Sequence, residues 1–220
     1  MNILIIDYGS GNIKSVYNSI NHVSETNSIK SKITISSSKY DIDQSDFILL
    51  PGVGSFKNCK KNILKHEKLI ESICENVQIK QKPFLGICVG MQLLATLGYE
   101  NGIEEGFNWI EGEVKHLKTI EEIKIKNLKI PHMGWNHISC VKKDNLFRGI
   151  TETDQFYFVH SYYFNIKNND NLLGYVEYGS RFPAVLKKNN IYGLQFHPEK
   201  SGNSGQKILL NWLSENEYIK

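Results

Sequence analysis

Pro83-Phe84-Leu85-Gly86-Ile87-Cys88-Val89-Gly90-Met91-Gln92-Leu93-Leu94 decides the fold of this 220-residue chain. Phe84 to Ile87 is a short apolar run of the kind that forms a buried parallel strand, and Met91 to Leu97 reads as the start of a helix. Between them one cysteine has a glycine two residues before it and another two after. That is the pattern of a nucleophile elbow, a strand-to-helix turn so tight that its central residue takes strained backbone angles. A side chain at Gly86 or Gly90 would collide where helix and strand nearly touch. The turn presents the sulfur at the strand's carboxyl end and at a helix N-terminus, whose partial positive charge favours thiolate. A buried cysteine in an ordinary βα turn would share these residues, so the rest of the chain has to separate the two.

Working outward, Met1 to Ile6 reads as a first strand ending in Asp7-Tyr8-Gly9-Ser10-Gly11-Asn12, followed by a helix from about Asn12 to His22. A dinucleotide loop is not expected there, because the third glycine and the acidic residue after a second strand are missing. Asp46 to Leu50 is the next strand, closed by Pro51-Gly52-Val53-Gly54-Ser55-Phe56. This loop lacks the Lys-Ser/Thr of a phosphate-binding loop, but Gly52 and Gly54 let a main-chain N–H near Val53 approach a developing negative charge. A helix is expected from about Asn58 to Val77, with Ile63, Ile70, Ile73, Cys74 and Val77 on one face.

Alternating strands and helices with continuous apolar strands argue an α/β fold, with a mostly parallel central sheet and helices on both faces. Its site should lie at the carboxyl ends, where the Asp7, Pro51 and Cys88 loops emerge. Beyond Gly102 the texture changes to short alternating segments expected to be antiparallel: Gly112 to Lys118, Ile123 to Ile130, His137 to Val141 and Gln155 to Tyr163. Pro131 to Asn136 reads as an apolar loop with Trp135 in the core, and His160 by itself reads as a core histidine. A strand is expected to end at His197, stopped by Pro198, leaving His197 and Glu199 facing the same way. A last helix runs from about Gly205 to Trp212 or beyond.

Composition excludes several classes. A formal charge of +3 with scattered lysines gives no nucleic-acid stripe. The first apolar run is cut off by Asp7, so neither a signal peptide nor a membrane span is expected. Cys59, Cys74, Cys88 and Cys140 form no Cys-x-x-Cys pair, which points to a reduced, cytoplasmic protein without a zinc ribbon. The 220 residues are expected to form a single domain. No metal or cofactor is expected, since the seven histidines show no ligand spacing.

Cys88 as nucleophile, His197 as base and Glu199 as the group orienting that base make a triad on cysteine. The oxyanion would be held by the N–H of Val89 and by a donor from Gly52-Val53. With these residues in place the chain resembles the class I (triad) glutamine amidotransferases. Within them it is similar to the glutaminase subunits of imidazole glycerol phosphate synthase. The resemblance rests on residues 6–12, 51–56, 86–94, 131–136, 157–163 and 195–202, in that order. It implies hydrolysis of L-glutamine to L-glutamate, with ammonia channelled to a (β/α)8-barrel cyclase partner in a heterodimer of histidine biosynthesis. By position it also implies glutamine contacts from Gln92, His160, Ser161 and Tyr162. The Gly106-Phe107-Asn108-Trp109-Ile110-Glu111-Gly112 stretch departs from the family pattern and resembles paralogues that feed ammonia to enzymes amidating surface sugars. A cysteine peptidase or γ-glutamyl hydrolase would use the same triad and is the rival enzyme class.

Overall fold

The computed structural model describes residues 1–9 and 11–214; residues 10 and 215–220 lie outside the described residues. The first half runs β1 (Asn2–Ile6), α1 (Ile13–Thr26), β2 (Lys32–Ser36), α2 (Lys39–Gln44), β3 (Phe47–Gly52), α3 (Phe56–Leu64), α4 (Leu69–Cys74), β4 (Phe84–Cys88) and α5 (Val89–Gln92). The second half adds β5 (Leu97–Gly98), β6 (Glu104–Glu105), β7 (Gly112–His116), α6 (Glu121–Ile125), β8 (His132–His137) and β9 (Ser139–Cys140). It closes with β10 (Gln155–His160), β11 (Tyr162–Ile166), β12 (Leu172–Tyr178), β13 (Ser180–Lys188), β14 (Ile191–Leu194) and α7 (Gly202–Leu213).

The main sheet has the order β2-β1-β3-β4-β14-β13-β12-β9. Its first five strands are parallel, and β13, β12 and β9 continue it antiparallel. β3 and β4 are buried along their whole length and β1 at all but its first residue, as continuous apolar runs require when both faces are covered. From β1 the chain steps outward to β2, then back past β1 to β3 and on to β4. Right-handed crossovers therefore place α1 on one face and α2 to α4 on the other. The packing agrees: α1 lies against α7, and α4 against both α2 and α3. That reversal opens a crevice at the carboxyl ends of β1 and β3, beside β4 and β14. Two smaller sheets, β10-β8 and β11-β7-β5-β6, share one hydrophobic core with the main sheet.

Several expectations are corrected. The elbow helix is only Val89–Gln92, not a helix running to Leu97. Backbone N–H groups from residues 107–110 take the carbonyls that a longer helix would use: Phe107 donates to Leu93, and Trp109 and Ile110 donate to Leu94. The expected helix over 58–77 is broken at Lys68, whose φ is +59°, and the second piece is re-aimed so that Leu69, Ile73 and Val77 all bury. Ile123 to Ile130 is not a strand. It is α6 closed by Asn127 at φ +47°, with Leu128 N–H to Ile123 C=O and Asn127 N–H to Lys124 C=O, a Schellman cap. Pro131 to Asn136 is not a loop: His132 to His137 forms β8, antiparallel to β10 with His132 opposite His160. Trp135 faces outward and is 54% exposed, so it is not core. The aromatic run 156–163 is two strands in different sheets, divided at Ser161. β2 and α2 escape a reading of the sequence because an edge strand alternating Lys32, Thr34 and Ser36 with isoleucines has no apolar run. The last helix begins at Gly202, three residues earlier than expected.

Candidate active site

Cys88 ends β4 and caps α5 with φ +54° and ψ −109°, a combination that costs a non-glycine residue roughly 1–3 kcal/mol. The surrounding contacts hold it there. A Cβ on Gly86 would sit 2.6 Å from the Gly90 carbonyl oxygen, and one on Gly90 would sit 1.8 Å from that of Leu50 on β3. The elbow's glycines are thus set by backbone packed on backbone, with Gly90 pressed on the neighbouring strand rather than on its own. Because α5 is a single turn, its dipole acts on the sulfur only through the first N–H groups. Val89 supplies the first of these, which has no acceptor within the helix.

Beside the elbow, Gly52 ends β3 opposite Cys88, and a Cβ there would meet the Gly90 nitrogen at 2.7 Å and the Val89 Cβ at 2.9 Å. The candidate oxyanion residues Gly52, Val53 and Val89 are therefore brought together. The Val53 carbonyl turns toward α3, where it accepts from the Cys59 thiol at 3.5 Å. Burial pushes that thiol up to about 11 and leaves it an inert core group.

β14 stops at Leu194, earlier than expected, and His197 arrives after two more residues anchored by Gln195 N–H to Ala184 C=O and His197 N–H to Tyr157 C=O. Pro198–Lys200 is a 3₁₀ turn, so Glu199 reaches the ring by turn geometry rather than along an extended strand. His197 Nδ1 lies 2.7 Å from Glu199 Oε1, both side chains almost wholly buried. Asn12 Nδ2 donates to the same Oε1 from the loop after β1. Burial would depress the imidazole, but the Cys88 sulfur and then the Glu199 carboxylate outweigh it and raise His197 to about 10. Its Nε2 is buried without a hydrogen-bond partner, as is Glu199 Oε2.

Cys88 and His197 open onto a cavity of about 300 Å³ lined also by Val53, Glu100, His160 and Tyr162. That is the small end of ligand pockets, sized for an amino acid. Gln92 and Ser161 lie on its wall too. The Gln92 amide hydrogens go to Tyr162 C=O at 3.1 Å and Gln195 Oε1 at 3.2 Å, leaving its Oε1 to offer. His160 lines the pocket with its ring only. Its Nδ1 donates to Tyr162 C=O at 2.9 Å and its Nε2 faces His132 Nδ1 at 3.0 Å, so neither nitrogen is left for a ligand. His160 is thus a hydrogen-bonded core histidine whose ring also lines the cavity.

Four site residues are not singled out by the sequence. Glu100 is the acid of the pocket: it accepts from the Phe56 N–H at 2.6 Å, and burial raises its carboxyl above the ordinary value. Nothing in Tyr99-Glu100-Asn101-Gly102 distinguishes it from a surface turn. Gln195, which donates to Cys88 Sγ at 3.8 Å, and Asn12 stand inside recognisable motifs but without a role of their own. His132 falls in a stretch that reads as a loop. Among the described residues no cluster of three or more His, Cys, Asp or Glu could hold a metal ion, and no helix is long and apolar enough to cross a membrane.

Residues 4–215 match the family described as glutamine amidotransferase class-I. The imidazole glycerol phosphate synthase subunit HisH 1 of Campylobacter jejuni is 45% identical over 96% of this chain and 98% of its own length. Subunit HisH of Pelagibacter ubique is 41% identical over 97% of this chain and 100% of its own. Among solved structures, a putative GMP synthase subunit from Thermoplasma acidophilum superposes with a TM-score of 0.66 at 19% identity, covering 100% of this chain and 96% of that one. A glutamine amidotransferase from Thermotoga maritima gives 0.60 at 19% identity, covering 100% and 85%. These two share the α/β architecture. With the family match spanning nearly every residue, the chain belongs to the class I glutamine amidotransferases.

Proposed function

We propose that this chain hydrolyses L-glutamine to L-glutamate and ammonia, using Cys88 as nucleophile, His197 as acid and base, and Glu199 to orient His197. The observation that carries the reading is a strained cysteine and a Glu199-held histidine opening together onto one amino-acid-sized cavity. In this mechanism Cys88 Sγ attacks the side-chain carboxamide carbon, and the N–H groups of Val89 and of the Gly52–Val53 segment hold the tetrahedral oxyanion. As the C–N bond breaks, His197 gives its proton to the departing nitrogen and ammonia leaves. His197 then takes a proton from water, which attacks the γ-glutamyl thioester, and collapse releases glutamate and restores the sulfur. Glu100 receives the substrate's ammonium group, with Gln92 Oε1 as a second acceptor and Ser161 and Tyr162 shaping the wall.

The ammonia goes to a (β/α)8-barrel cyclase subunit that forms imidazole glycerol phosphate and aminoimidazole carboxamide ribotide in histidine biosynthesis. The names of relatives matching end to end support this assignment. Met133 and Trp135, on the outward side of β8, offer an exposed apolar contact for that partner. The whole chain acts as one catalytic domain, in line with its single continuous core. Four free thiols fit the reducing cytoplasm as its compartment.

The test is glutamate production by the purified chain with and without the cyclase barrel and its ribotide substrate. Strong stimulation is expected. Glutaminase activity that ignores the barrel would instead favour the second reading, ammonia for a surface-sugar amidating enzyme, which the Phe107 to Gly112 departure suggests. Peptide cleavage in place of glutamine hydrolysis would overturn both.

A further inference from the structure

A run of hydrogen bonds leads from the exposed strand β8 to the nucleophile, and its polarity is fixed end to end. The Tyr162 carbonyl can only accept, so His160 Nδ1 carries the proton of their 2.9 Å bond. In a neutral ring His160 Nε2 is then an acceptor, so His132 Nδ1 is the donor across 3.0 Å. That makes His132 Nε2 an acceptor in turn, served by Asn136 Nδ2 at 3.3 Å, while Asn136 also donates to Glu177 C=O at 2.9 Å. On the other side of Tyr162, its carbonyl accepts from Gln92 as well, and Gln92 donates to Gln195 Oε1. The Gln195 amide is thereby turned with its NH₂ toward Cys88 Sγ at 3.8 Å.

We propose that His132, which does not line the pocket, is a positioning residue for glutamine hydrolysis: its Nδ1–H satisfies the buried Nε2 of His160 and holds that ring against the Tyr162 carbonyl, on which Gln92 and, through it, Gln195 are aligned. The inference rests on the glutaminase reading of the site. Burial supports the neutral state of both rings, lowering His132 to about 4 and His160, with help from its histidine neighbours, to about 3. Without the His132 donor, the Tyr162 carbonyl still keeps the proton on His160 Nδ1, but Nε2 becomes a buried acceptor with no partner. The ring then turns to find one, its Nδ1–H leaves the Tyr162 oxygen, and that carbonyl is released from its place beside Gln92.

His132 also has a packing role that the test has to set apart. Its ring stacks between Phe158, at 4.9 Å, and Tyr178, at 4.2 Å. Phenylalanine keeps the stack and loses the donor; asparagine keeps a donor near the Nδ1 position and loses the stack. Positioning predicts that His132→Phe lowers kcat/KM for glutamine about 10- to 100-fold, with a Tm loss limited to the few degrees that one orphaned buried acceptor costs. His132→Asn should stay within about threefold of wild type at a lower Tm. Packing alone predicts the reverse order, and that result would overturn the proposal. A readout independent of activity is the ¹⁵N spectrum of the histidine side chains. His160 is expected as the Nδ1–H tautomer with a hydrogen-bonded Nε2 in the wild type, and in His132→Phe its Nε2 resonance is expected to move downfield to that of an acceptor without a donor. An Nε2–H His160 in the wild type refutes the chain whatever the enzyme does; absence of wild-type glutamine hydrolysis with the expected tautomer refutes the glutaminase reading instead.

Discussion

Replacing Glu199 by Gln removes one charge and almost no volume, and the structure says how large the effect should be. The carboxylate accepts from His197 Nδ1 and Asn12 Nδ2 on the same oxygen, Oε1, while Oε2 is buried without a partner. A glutamine at this position has two orientations. With its oxygen in the Oε1 place it still accepts from both donors and leaves an NH₂ unsatisfied where Oε2 was. Turned over, its NH₂ would face two donors, a clash that only the wrong His197 tautomer could partly relieve. Asn12 therefore holds the useful orientation, and the main loss is the charge. A charged hydrogen bond contributes roughly 1.5–3 kcal/mol against 0.5–1.5 for a neutral one, and the orphaned NH₂ adds to that difference. A kcat lowered about 10- to 100-fold follows, with KM for glutamine little changed because Glu199 does not line the pocket. Adding Asn12→Ala frees the amide to turn, and the double variant should fall toward the roughly 10⁴-fold loss that accompanies a wrong histidine tautomer. The assay is glutamate release under saturating glutamine. Glu199→Gln within twofold of wild type, or a 10⁴-fold loss with Asn12 intact, would refute this reasoning.

Other expectations follow from the same geometry. Gly90→Ala puts a Cβ 1.8 Å from the Leu50 oxygen, contact with backbone that cannot yield, so the variant should lose most of its soluble folded fraction; a Tm within a few degrees of wild type would contradict this. Glu100→Gln should raise KM for glutamine about tenfold or more with a smaller change in kcat, the mark of a lost ammonium partner; an unchanged KM would remove Glu100 from substrate binding. His132 and His160 are held below the ordinary value of 6.5 by burial, so the fold keeps them neutral while the unfolded chain protonates them. Their stabilising effect is whole above pH 6.5 and drains as pH falls toward 4, each adding up to about 1.4 kcal/mol per pH unit. Against the cost of burial, hydrogen bonds lower Asp154 from 3.8 to about 2, and its contribution drains only as pH falls between those values. Urea midpoints at pH 7 and pH 4.5 separate the two, and a flat dependence in that window would refute the neutral pair.

The triad is legible because each member sits in a short local pattern. Cys88 has its two glycines, and His197 and Glu199 are two residues apart behind a strand. Asn12 and Gln195 are not, because their partners, Glu199 and Cys88, lie 187 and 107 residues away. β8 fails as a strand for a related reason. Its ladder is supplied by Gln155–His160, and in Met-Gly-Trp-Asn only Trp135 favours a strand. The lysine–isoleucine alternation of 123–130 suits a strand equally well until Asn127 takes a left-handed conformation and lets Leu128 close on Ile123. Most of the parallel half is legible because β1 after Asn2, β3 and β4 are continuous apolar runs. The antiparallel half is read as texture only, because its strand ends are set by long-range pairing.

The most direct measurement is the intact mass of the chain after acid quench during turnover of glutamine, with the adduct located by peptide mapping. A mass increase of one γ-glutamyl group is expected on the peptide carrying Cys88, removed by hydroxylamine and absent from Cys88→Ser, which also makes no glutamate. Glutamate formation by Cys88→Ser, or an adduct on Cys59, Cys74 or Cys140 in its place, would contradict it.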